Sequence, residues 1–145
     1  MKITKTTQVA DKVLAKLVAI LKNDTRNSFP HDTEAVVLPY INGRERGWRV
    51  ELHHASSSRL FGPGVTFSEC RNSDQIVLYP TRWNLMEILP DHGISERAWA
   101  GKKFVSPTRD DCFERAAVEA ETILLRQLDE IGKAKDFEAL AASWK

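Results

Sequence analysis

The hydrophobic repeat of this chain changes twice, from helical spacing to alternation near residue 35 and back to helical spacing beyond residue 105. That switch restricts the fold to helices packed on a sheet. Apolar residues recurring every second position share one side of a strand, whereas a 3.6-residue repeat gathers them into a stripe along a helix. The cleanest alternation is Trp48-Arg49-Val50-Glu51-Leu52-His53. Trp48, Val50 and Leu52 fall on one side and Arg49, Glu51 and His53 on the other, which predicts one core face and one wet face.

Residues 35–41 form a second β-type run, joined to the first by a link over 42–47 that opens on Asn42-Gly43 and closes on Gly47. Residues that tolerate positive φ at such a link predict an antiparallel hairpin. Pro39 cannot donate to a ladder, so its strand is expected at an edge or to end there. Residues 65–69 and 75–79 read as two further strands flanking the turn Cys70-Arg71-Asn72-Ser73-Asp74. The pattern predicts about four antiparallel strands in two hairpins.

Helices are expected at both ends. Val9, Val13, Leu14, Leu17, Val18, Ile20 and Leu21 recur at helical spacing over 7–22, and 23–30 reads as a loop ending in Pro30. Ser106-Pro107 resembles a helix start, and Phe113, Ala116, Ala117, Ala120, Leu124, Leu128 and Ile131 form one apolar face that Gly132 would end. Phe137, Leu140, Ala141 and Trp144 suggest a short final helix. Residues 82–89 and 94–99 read as short helical or turn-rich pieces. At 145 residues the chain is expected to form a single α+β domain over 1–145, with no linker or repeat to divide it.

Charge and cysteine usage exclude several function classes. Twenty-one basic against twenty acidic residues leave a net charge of +1, without the basic excess of a nucleic-acid binder. Cys70 and Cys112 make no CxxC pair, which argues against a disulfide framework or a structural zinc and for free thiols in a reducing compartment. The basic stretch 1–7 is followed by Asp11, Lys12 and Lys16 rather than an apolar signal core, and no run approaches the roughly 18 apolar residues of a membrane span. A cytoplasmic protein with no membrane partner is expected.

Candidate chemistry concentrates in 61–79, where glycines, both charge signs, hydroxyls and amides lie between two strand-like runs. Phe61-Gly62-Pro63-Gly64 leads into a strand and lacks the Lys-Ser/Thr pair of a phosphate loop. No G-x-S-x-G elbow positions a serine, and Cys70 at a strand end reads as a small buried residue. No cofactor is implied. Glu51, Glu69 and Asp74 are the carboxylates from which a metal-dependent, nuclease-like hydrolase would be built, although no lysine lies between Lys22 and Lys102 to assist them. Arg44, Arg46, Arg49, Arg59 and Arg71, interleaved with Tyr40, Trp48, Phe67 and Tyr79, would suit a single nucleic-acid strand. The acids of the long helix set against these arginines suggest a dipolar surface that steers a charged protein partner. Trp83, Trp99 and Trp144, if exposed, would anchor an interface. The reading favoured over catalysis or nucleic-acid binding is a module that binds another protein through the polar sheet face and hairpin turns. Its expected binding residues are Arg44, Arg46, Arg49, Glu51, His53, Glu69, Arg71, Asn72 and Asp74.

Overall fold

A computed structural model describes residues 6–8, 34–42, 45–53, 59–84, 92–93, 99 and 101–144. An antiparallel sheet is built from β1 (Thr6–Gln8), β2 (Glu34–Asn42), β3 (Glu45–His53), β4 (Arg59–Asn72), β5 (Gln75–Asn84), β6 (His92–Gly93) and β7 (Phe104–Ser106). A long helix, α1 (Arg109–Lys133), and a short one, α2 (Phe137–Ser143), follow. The strands β1 to β6 are neighbours in chain order, and β7 pairs with β5. The α+β class is as expected, but the four central strands are extended by the short β1, β6 and β7.

Thr7 and Gln8, expected to open a helix over 7–22, instead pair with Ala35 and Glu34 of β2. The adjacent β-branched Thr6 and Thr7 suit an extended strand against the margin of β2. The rest of that helix lies outside the described residues, as do the expected loop 23–30 and all but Trp99 of the piece at 94–99.

Two prolines lie inside strands that run further than the expected 65–69 and 75–79. Arg49 pairs with Gly64 and Glu51 with Phe61, so Pro63 falls at a bulge where no ladder hydrogen bond is required of it. β4 therefore runs through Gly62-Pro63-Gly64 as one 14-residue strand. Pro80 likewise sits at the irregularity between Thr66 and Phe67, and β5 continues to Asn84, where a helical or turn-rich segment was expected to begin at 82. Thr81 donates its hydroxyl to the carbonyl of Thr66 at this irregularity, 3.2 Å away.

Trp48, Val50 and Leu52 are buried on the face that α1 covers, together with Ala35, Val37, Val65, Phe67, Ile76 and Leu78. Phe67 is the centre of the cluster: its ring meets Trp48 at 5.3 Å, Trp99 at 5.6 Å and Phe104 at 5.9 Å, each edge to face. The helix contributes Cys112, Ala116, Ala117, Ala120, Ile123, Leu124, Leu128 and Ile131. Its small residues let the helix axis approach the sheet closely. Thr108, two residues beyond the expected start at Ser106, caps the helix by accepting from the Asp111 N–H, while Ser106 accepts from the Thr108 N–H. Gly132 lies within α1 rather than ending it, and Ala134 is the C-cap. Trp144 packs back on the core and donates its indole N–H to Glu130 at 2.5 Å.

The β4–β5 hairpin turns on Ser73 and Asp74, because Asn72 pairs with Gln75. Ser73 has φ of 58°, a left-handed conformation that costs a side-chain-bearing residue free energy. Ser73→Gly should therefore raise stability by about 0.5–1 kcal/mol, the strain relief outweighing the added freedom of the unfolded chain. A urea midpoint at or below the parent value would contradict this.

Candidate functional site

The side of β3 expected to be wet is covered in its middle. Glu51 is only 1% exposed, on the face opposite α1, and its cross-strand neighbour Val36 is buried too. Strand geometry puts residues two apart on one side, so Arg49 and His53 flank the Glu51 carboxylate. Arg49 Nε donates to Oε2 at 2.8 Å, and His53 Nε2 lies 2.9 Å from Oε1. An ionised carboxylate can only accept, so opposite ionised Glu51 the Nε2 of His53 is the donor. Neither a hydroxyl nor a thiol is hydrogen-bonded to His53 among the described residues. The trio satisfies a buried charge, with Arg49 and His53 reaching from it toward solvent.

The turn residues separate as well. Glu69 shares the α1 face with Phe67 and pairs across 40 residues with Arg109, whose Nε and Nη2 donate to its two carboxylate oxygens at 2.9 and 2.8 Å. This pairing raises the Arg109 pKa, first through the hydrogen bond and then through the charge of Glu69. Arg71 is exposed, as are Asn72 and Asp74. Glu51 and Glu69 thus lie on opposite faces of the sheet and cannot hold one ion between them. Among the described residues no group of three or more His, Cys, Asp and Glu side chains is placed to hold a metal. Glu69→Ala should lower the melting temperature by freeing the first turn of α1 from the sheet. Arg71→Ala and Asp74→Ala should leave it within ~2 °C. Equal losses from all three would show that they act as a single structural network.

Among the described residues, Arg46 and Arg49 lie on opposite faces of the sheet. Arg44 lies outside the described residues. Arg46 is on the α1 face, its guanidinium 5.3 Å from the centre of the Phe113 ring, while Arg49 belongs to the buried trio. Some of the helix acids are matched, Asp111 by Arg115, Glu130 by Arg126 and Asp129 by Lys133 along the helix, and Glu119 by Lys102. The expected dipolar surface is correspondingly weakened. Trp99 and Trp144 are buried in the core and cannot anchor a partner.

What the sequence reading missed lies on the other half of the outer face. Cys70, expected to be buried, is exposed there, whereas Cys112 is buried, its one S–H within reach of the carbonyls of Ile76 at 3.2 Å and Phe104 at 3.4 Å. Burial pushes the Cys112 pKa up and keeps that thiol neutral. Val105 pairs with Val77 and Val77 with Cys70, while Tyr79 pairs with Ser68. Tyr79 and Val105 are 37% and 43% exposed. Val77 and Tyr79 alternate with the buried Ile76 and Leu78, so β5 carries apolar residues on both of its sides; that signal was present in the sequence.

No family model, curated protein or solved structure matches this chain.

Proposed function

We propose that the protein is a non-catalytic binding module that engages another polypeptide through the open half of its outer sheet face, with the Asn72–Asp74 turn at the border. One observation carries this reading: exposed Tyr79, Val105 and Cys70 stand beside half-buried Val77 on three adjacent strands, all uncharged, although the other half of the same face buries Val36, Glu51 and Thr66. Ser68, Asn72, Gln75, Glu45 and Lys103 surround them. An apolar, aromatic-bearing centre within a polar rim has the composition of an interface, and a contiguous exposed patch of this kind is costly to keep unless it is used. Two unpaired thiols suit a reducing compartment, and we place the protein in the cytoplasm. No helix among the described residues is long and apolar enough to cross a membrane.

The test is a comparison of two baits in native lysate, the wild-type chain and a Tyr79→Asp/Val105→Asp variant of matched melting temperature. Proteins held by the first and lost from the second are expected. The same proteins recovered with both would refute this surface.

A further inference from the structure

We propose that the open half of the outer face is closed by a second copy of this chain, in a two-fold dimer that sets β4 and β5 of one protomer against those of its partner. This rests on the protein-binding reading and names the partner. The register of the face supplies the reason. Glu45 of β3 pairs with Ser68 of β4, and Ser68 pairs with Tyr79 of β5. Phe104 pairs with Leu78, which brings the preceding residue, Lys103, alongside Tyr79. One row across the sheet therefore reads Glu45, Ser68, Tyr79, Lys103, with an acid at one margin, a base at the other and uncharged groups between. Neither Glu45 nor Lys103 makes an ion pair among the described residues.

Such a row is complementary to itself. A two-fold axis parallel to the strands and midway between β4 and β5 lays Glu45 over the partner's Lys103, and Ser68 over the partner's Tyr79. The next row follows the same operation, Cys70 meeting the partner's Val77. Each contact occurs twice, because a two-fold interface uses one patch on both subunits. Aligned packing of two sheet faces is an established way to bury such a surface. A foreign partner would require no matching of one margin of the patch to the other. The axis also fixes a distance: with sheets about 10 Å apart and strands about 4.8 Å apart, the two Cys70 Cα atoms lie about 11 Å from each other. That is too far for a disulfide and within reach of a short bis-maleimide.

Sedimentation of the purified full chain should show a reversible equilibrium between the 16.4 kDa monomer and a species of twice that mass. Glu45→Lys and Lys103→Glu should each weaken it about tenfold, since one substitution turns two attractive contacts repulsive. The Glu45→Lys/Lys103→Glu swap should return the affinity to within about threefold of wild type. Bis-maleimide should cross-link the unaltered protein through Cys70, and Cys70→Ser should abolish the product, Cys112 being buried. A monomer at every concentration up to about 1 mM would overturn the dimer, while loss of lysate proteins from the Tyr79→Asp/Val105→Asp bait would still uphold binding to a different protein. A dimer indifferent to both reversals, unrestored by the swap or not cross-linked through Cys70 would overturn this arrangement.

Discussion

Phe67→Ala is expected to lower the free energy of unfolding by about 3–5 kcal/mol, the usual cost of deleting a fully buried aromatic ring. Phe67 is completely buried and is the ring on which Trp48, Trp99 and Phe104 converge. The cavity would be walled by large rings that cannot all collapse into it, which favours the upper part of that range. Against a total stability of about 5–15 kcal/mol, this is a large fraction. Urea denaturation followed by tryptophan emission would measure it. A loss below about 1 kcal/mol would mean that the aromatic cluster is not where the domain draws its stability.

The second large effect is expected at Glu51. Glu51→Ala removes a buried carboxylate from two charge-assisted hydrogen bonds and leaves Arg49 and His53 without their shared acceptor. Breaking a buried pair costs about 3–5 kcal/mol where the remaining charge stays dry. Arg49 and His53 are each about one-third exposed and can turn to water, so about 3 kcal/mol is expected. Glu51→Gln keeps the shape and part of the hydrogen bonding and should lose about 1–2 kcal/mol. Because Glu51 lies in the covered half, the Gln variant should capture the same proteins as wild type. Loss of capture by a stably folded Glu51→Gln would return Glu51 to the binding surface.

These effects mark where sequence reasoning reached and where it stopped. The alternation of Trp48, Val50 and Leu52 located the α1 face correctly, because side-chain parity along a strand is a local property. The same parity placed Glu51 in water, since alternation tells which side a residue is on and not what else covers that side. The strands expected over 65–69 and 75–79 run on through Pro63 and Pro80, because a bulge removes the need for the N–H that proline lacks. The hairpin at Ser73 and Asp74 was visible in its turn residues. The partner of Glu69 was not, because Arg109 is 40 positions away and becomes a neighbour only when α1 docks. Tyr79 entered only as one ring beside the arginines, whereas its alternation with Ile76 and Leu78 puts it on the outer side of β5, where it is exposed.

The placement of α1 after every strand it covers has a consequence for synthesis. The main strands pair with their chain neighbours, so β2 to β5 need only short loops to close and can assemble as each emerges. Among the described residues, their α1 face, with Trp48, Val65 and Phe67, is not covered until residues 104–133 have been added. At typical elongation rates that interval is ~2–6 s, long beside hairpin formation in microseconds. A nascent chain in that window carries a formed but uncapped apolar sheet, which makes it the stage most open to chaperone capture or misassociation.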